Sequence, residues 1–193
     1  DWYRSRGLGD VYKRQLTGLK QKVGNYPGVT VEKKIGSFDI DRTTNVQLID
    51  LPGTYGLNTQ SLDQSIVFEL LLNKNNKDFP DVVVVVADIE NLKRNLLLFS
   101  QIKDLEIPSI LVVNMADQLK SKGIEIDVNK LEEEFDTKVI LLSARKNFGF
   151  EQLKSEIKDY RNLSYKPAFD INEIDPEYFS NLQKTFPGES VYK

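Results

Sequence analysis

The sequence predicts an α/β protein built on a mostly parallel sheet with helices on both faces and an antiparallel edge. Three observations carry this prediction. First, Asp81 to Ala87, Pro108 to Val113 and Val139 to Leu142 are short apolar runs with the composition of strands buried on both faces. Second, helical spacing separates these runs, and strands alternating with helices imply right-handed crossovers and parallel pairing. Third, Val31 to Ile40 and Thr44 to Ile49 flank an Asp41-Arg42 turn, so they read as a hairpin.

The elements follow in order. Ser61 to Asn73 reads as a helix with Ser61 as its N-cap and Leu62, Ile66 and Phe68 to Leu72 apolar. Glu90 to Leu105 reads as a second helix, because Leu92, Leu96, Phe99 and Ile102 fall on one face. Asp127 opens a third, with Val128, Leu131 and Phe135 aligned. Phe150, Leu153, Ile157 and Tyr160 mark a fourth. Arg161 to Asp175, with Pro167, reads as a linker. Pro176 to Phe186 reads as one more helix, with Asp175 as N-cap and Pro176 at the first helical position.

Composition narrows the chemistry. The chain has 193 residues, no cysteine and no histidine. Disulfides, thiolate metal sites and imidazole-based triads are therefore excluded. A net charge of −3 is too mild to argue for a nucleic acid or an anionic membrane surface as partner, and neither is expected. The longest aliphatic run, Val82 to Ala87, is far short of the roughly 20 residues that span a bilayer.

Four motifs can carry chemistry. Asp50-Leu51-Pro52-Gly53 follows an apolar strand; its carboxylate suits a water bound to Mg²⁺, and Gly53 lets a backbone N–H approach a terminal phosphate. Asn114-Met115-Ala116-Asp117 follows another strand. Asp117 can accept from both N1–H and the exocyclic amine of guanine, Asn114 can tie neighbouring loops together, and Met115 can lie on the base. Ser143-Ala144-Arg145 follows a third strand and offers backbone N–H groups to guanine O6. Gly24 to Glu32, containing Gly28-Val29-Thr30, is a Gly/Pro-rich loop in which Thr30 can place a hydroxyl on Mg²⁺. Each motif alone is also compatible with an ordinary turn. Their order, with three directly after strands, places them at the carboxyl edge where open α/β sheets bind ligands.

With these motifs the sequence resembles the cytosolic G domain of the bacterial ferrous iron transport protein B family. The resemblance runs from Leu16 to Tyr160 and more faintly beyond. It is most specific in Leu16-Thr17-Gly18 and in the string from Gln21 through Asn25-Tyr26-Pro27-Gly28-Val29-Thr30 to Lys34. Asp50 to Leu57, Asn91 to Leu96 and Met115 also match. The resemblance implies a P-loop NTPase-like fold of the small GTPase kind and a switch domain that binds and hydrolyses GTP with Mg²⁺. A helical regulatory domain and an Fe²⁺ permease domain of the same full-length protein would follow. Thr30 and Asp50 would serve the metal. Gly28, Val29, Leu51, Pro52 and Gly53 would serve the phosphate end, and Asn114 to Asp117 with Ser143 to Arg145 the base. The full-length protein would sit at the cytoplasmic face of the bacterial cell membrane.

One departure matters. The family carries Gly-x-x-x-x-Gly-Lys-Ser/Thr ahead of Leu-Thr-Gly, and no such motif occurs in this chain; Gly7-Leu8-Gly9 has no Lys-Ser/Thr pair after it. Asp1 to Gln15, locally basic and without helix or strand period, stands in its place. The expectation is a foreign segment at 1–15, a truncated G domain at 16–163, and a linker with the start of a helical domain at 164–193. The family's first strand lies between Thr44 to Ile49 and Asp81 to Ala87, so these two should lose a ladder partner and expose apolar faces. GDP or GTP and Mg²⁺ should bind weakly, and this chain should be inactive as a GTPase. The water-orienting Gln of small GTPases is also replaced, by Thr54 and Tyr55. Two alternatives stand beside this reading: a ribosome-assembly-type GTPase, and a nucleotide-independent interaction module that kept the fold and lost the site.

Overall fold

The computed structural model describes residues 15–16, 21–26, 31–54, 56 and 62–186. Its strands form two three-stranded sheets. The first is an antiparallel meander of β1 (Gln21–Asn25), β2 (Glu32–Asp39) and β3 (Asn45–Asp50), in which Ile35 faces Ile49. The second is parallel, ordered β4 (Val83–Asp88), β5 (Ser109–Asn114) and β6 (Lys138–Leu141), with Val85 opposite Leu111 and Val112 opposite Ile140.

Helices connect the strands. α1 (Leu62–Leu72) lies between β3 and β4, and α2 (Leu92–Lys103) crosses from β4 to β5. The short α3 (Leu119–Lys122) and α4 (Val128–Phe135) cross from β5 to β6. α5 (Phe150–Lys158), α6 (Ile171–Ile174) and α7 (Pro176–Thr185) follow. The Asp127 and Asp175 side chains accept from Lys130 N and Tyr178 N, so both serve as the N-caps their positions predict.

Side chains alternate across β5 and divide the interior into two cores. Leu111 and Val113 join Val83, Val85, Ile66, Val67, Leu70, Leu71, Phe99 and Ile102 on one side. Val128, Leu131 and Phe135 close that core, with Phe135 edge-on to Phe99 at 5.4 Å. Ile110 and Val112 join Ile140, Leu142, Phe150, Leu153 and Ile157 on the other side. Phe38 of β2 is buried in this second core, and Val46 and Leu48 of β3 pack against it. The two sheets therefore share cores as parts of one layer.

That layer is split. Among the described residues β3 and β4 form no ladder with each other, and the segment expected to replace the strand between them, residues 1–14, lies outside those described. The expectation that β4 is buried on both faces is corrected: Val83, Val85 and Ala87 are buried, but Val86 is 42% exposed. Val86 lies on the face of β4 opposite Val83, Val85 and Ala87, and among the described residues β4 pairs only with β5.

Three further differences arise from tertiary context. Gln21–Asn25, which has no clear strand period, is a strand because it pairs with β2, with Val23 opposite Lys34. Tyr26 N–H then donates to Val31 O at 3.1 Å, tying the end of β1 to the start of β2. The predicted linker holds a 3₁₀ turn, Tyr160–Asn162, and the short α6. Likewise α2 begins after a 3₁₀ turn, Ile89–Asn91, because the Asp88 side chain caps Glu90 N. Of the expected foreign segment, residues 1–14 lie outside the described residues. Gln15 and Leu16 form part of a helical turn, and Leu16 packs against the second core.

Candidate nucleotide site at the carboxyl edge of the sheet

β5 ends at Asn114, which is 3% exposed, and its partner in register is Asp88 at the end of β4. The chain then turns sharply. Met115 adopts φ 63°, a left-handed conformation uncommon for a side chain of this size. Ala116 N–H donates to Leu142 O at 3.1 Å, and Leu142 N–H donates to Val113 O at 2.8 Å. These bonds bind the loop after β5 to the loop after β6. Met115 packs in part against the first core, so the core, as well as any base, competes for its side chain.

The turn delivers Asp117 onto Ser143. The Ser143 hydroxyl donates to Asp117 Oδ1 at 2.6 Å, and Arg145 donates to Oδ2 at 2.5 Å. The Ser143 hydroxyl holds the Asp117 carboxyl below the usual carboxylate range; burial opposes this and Arg145 reinforces it. Asp117 is therefore an anion with two fixed donors. A carboxylate has about four lone-pair sites, so acceptor capacity remains for an incoming edge. Asn114 Oδ1 accepts from Ala144 N at 3.5 Å, the loop-tying role its position suggests.

The third motif is shaped by its exit. Ser143 N–H donates to Phe148 O and Phe148 N–H to Ser143 O, both at 3.1 Å. That isolated bridge engages the Ser143 amide, which the sequence offered to guanine O6. Asn147 at φ 52° and Gly149 at φ 87° turn the chain into α5. The sequence reading missed Gly149, although an Asn followed closely by Gly is a recognisable left-handed turn signal. It also missed Gln15, whose Nε2 donates to Ala144 O at 2.6 Å.

The Asp50 motif ends β3 of the other sheet. Leu51 packs against the first core, while Gly53 is exposed and a Cβ there would meet nothing within 4 Å. The open approach at Gly53 is compatible with a bulky anion. Thr54 Oγ1 donates to Gly56 O at 2.5 Å and so folds the next turn. Asp50 also contributes, after burial, to raising the buried Tyr26 hydroxyl to about 12. Gly28, Val29 and Thr30 lie outside the described residues. Among the described residues no three His, Cys, Asp or Glu side chains gather into a metal site. The structure thus brings Asn114, Asp117, Ser143, Ala144 and Arg145 together and places Asp50 to Gly53 at the end of a separate strand.

An open α/β layer with Asp-x-x-Gly, Asn-x-x-Asp and Ser-Ala loops at its carboxyl edge defines the class: an α/β G domain of the P-loop NTPase type. The family model for ferrous iron transport protein B matches residues 11–157, and the chain belongs to that family. The cytosolic domain of the T. maritima FeoB iron transporter in a GDP form superimposes with a TM-score of 0.85 at 32% identity, covering 95% of this chain and 74% of that one. The same domain in its GMPPNP form gives a TM-score of 0.82 at 32% identity, covering 95% of this chain and 73% of that one. The Fe(2+) transporter FeoB of Escherichia coli O157:H7 is 40% identical over 190 residues, covering 93% of this chain. That of Leptospira biflexa is 40% identical over 141 residues, covering 73% of this chain. The chain spans only 20% and 23% of these two relatives' lengths. No helix among the described residues is long and apolar enough to cross a membrane.

Proposed function

We propose that this chain is the guanine-nucleotide-binding switch domain of a ferrous iron transporter, with its base-recognition half built and its phosphate-binding half missing. The observation that carries the reading is the Asp117–Ser143 contact at 2.6 Å, which joins two loops 26 residues apart. With Asn114 beneath Ala144, it presents a rigid carboxylate suited to the two donors on the guanine edge. Adenine lacks that donor pair, so the site favours guanine.

At the phosphate end, Gly53 would admit a terminal phosphate, and Asp50 and Thr30 would hold Mg²⁺. Bound Mg²⁺ supplies charge neutralisation to the phosphates. The chain lacks the Gly-x-x-x-x-Gly-Lys-Ser/Thr segment that would add a cluster of backbone donors, a lysine and a metal ligand. Three lost charge-assisted hydrogen bonds at roughly 1.5–3 kcal/mol each amount to about 4–9 kcal/mol. That corresponds to roughly three to six decades in Kd. We therefore expect millimolar or weaker binding and no measurable GTP hydrolysis. Residues 1–15 are read as foreign to a G domain at 16–163, with 164–193 starting a helical domain. An Fe²⁺ permease domain of the same full-length protein would be the partner, with this domain on the cytoplasmic face of the cell membrane. Iron is cargo there and is not held by this chain, which has no His or Cys.

Family membership sets aside the ribosome-assembly alternative. The interaction-module reading is still favoured by one observation, the absent phosphate motif. Fusing a first strand and Gly-x-x-x-x-Gly-Lys-Ser ahead of Leu16 decides between them. Recovery of micromolar GTP binding and of turnover is the expected result. A well-folded fusion that still ignores GTP would establish the module instead.

A further inference from the structure

Lys103, the last residue of α2, is completely buried, yet it plays no part in the site described above. Among the described residues no carboxylate oxygen forms an ion pair with it. Its Nζ donates to Asp136 O at 3.2 Å and to Ser164 O at 3.1 Å. Asp136 is the C-cap of α4, with φ 43°, so the ammonium sits where two helices end, its own α2 and α4. Helix C-termini carry the negative end of the peptide dipole and stabilise a cation there. Burial lowers the Lys103 pKa, the Asp136 charge opposes that shift, and Lys166 adds to it. The next residue repeats the contact: Asp104 Oδ1 accepts from Ala168 N at 3.0 Å. Leu163, 7% exposed, anchors the start of the same segment in the second core.

Three points therefore fasten residues 163–168: a buried leucine, a carbonyl on a buried ammonium, and an amide on a carboxylate. Beyond them α6 and α7 contain no fully buried residue among those described. The direction in which the C-terminal helices leave the domain is set at this contact.

We infer that Lys103 is a charged latch whose ammonium docks residues 164–168 onto the ends of α2 and α4 and so fixes the exit of the C-terminal helical region. The charge is essential to this device. An apolar side chain of similar length would fill the space but leave the Asp136 and Ser164 carbonyls without a donor. Both bonds are part-buried, so a carbonyl left without its donor there is costly, and Ser164 regains a partner only by moving towards water.

Amide exchange followed by NMR on the full chain tests the latch. Lys103→Met is expected to speed exchange of the Ala168 amide at least tenfold while the Val112 and Ile140 amides keep their protection. Unchanged Ala168 exchange would overturn the proposal. So would equal acceleration of Val112 and Ile140, since Lys103 would then support the core rather than the segment. A second measurement needs no substitution. The unmodified chain should show a slowly exchanging Lys103 ammonium signal with couplings to the Asp136 and Ser164 carbonyls. A rapidly exchanging ammonium without those couplings would refute the latch even if the variant does not fold.

Discussion

Gly149→Ala should destabilise the fold and disturb the base-recognition loops together. Gly149 sits at φ 87°, and a Cβ there would lie 2.5 Å from Leu141 O and 3.1 Å from Leu142 Cα. The left-handed conformation costs a side chain roughly 1–2 kcal/mol. Forcing the β6 carbonyl aside adds overpacking of about 1–3 kcal/mol. A total near 3 kcal/mol corresponds to roughly 6–12 °C in Tm for a domain of this size. Gly123 supplies the internal control, because it is also left-handed at φ 63° but has nothing within 4 Å of a would-be Cβ. Gly123→Ala should therefore cost only the conformational part, about 1–2 kcal/mol or roughly 2–8 °C. Thermal melts of both variants read the difference. NMR shifts should follow the displaced Leu142, whose amide and carbonyl bond Val113 and Ala116, so residues 113 to 117 move in Gly149→Ala alone. Equal losses in the two variants would refute the close approach at Leu141.

Other expectations follow from the same geometry. Asp117→Asn should weaken guanine nucleotides and favour xanthine nucleotides, whose edge replaces the amine donor with a carbonyl; a competition series reads this. Lys33 and Asp78 form a nearly buried ion pair at 2.5 Å, with side chains 10% and 15% exposed. Asp78→Ala should leave the ammonium without its partner and cost about 3 kcal/mol in urea unfolding. Burial, with Asp50 and Asp78 beside it, pushes the Tyr26 hydroxyl up to about 12. The folded state then holds its proton more tightly than the unfolded chain. Stability is full below about pH 10, the ordinary tyrosine value, and falls as pH rises towards 12. Tyr26→Phe should remove that alkaline loss, as measured by urea midpoints across pH 9 to 12.

Much of this was legible in the chain because local and tertiary signals agree. The five-valine run, the aligned Leu131 and Phe135, and the Asp127 and Asp175 caps each act through their own neighbours. Asn114, Asp117 and Ser143 were legible because strand ends place them at one edge. The rest depended on distant partners. Gln21–Asn25 is a strand only because β2 lies beside it. Val86 is exposed on one face of β4, whereas composition alone reads it as buried. Lys103 looks like a surface lysine at a helix end until Asp136 and Ser164 close over it. Arg145 entered as a source of backbone N–H groups, and only folding shows its guanidinium on the Asp117 carboxylate.

The central claim is that base recognition survives in a chain without the phosphate motif. Titrating labelled protein with GDP and with ADP in the presence of Mg²⁺ tests it directly. Shifts confined to Asn114 to Asp117 and Ser143 to Arg145, with a millimolar or weaker Kd for GDP and none for ADP, are the predicted result. Equal responses to the two nucleotides, or micromolar GDP binding, would contradict the account.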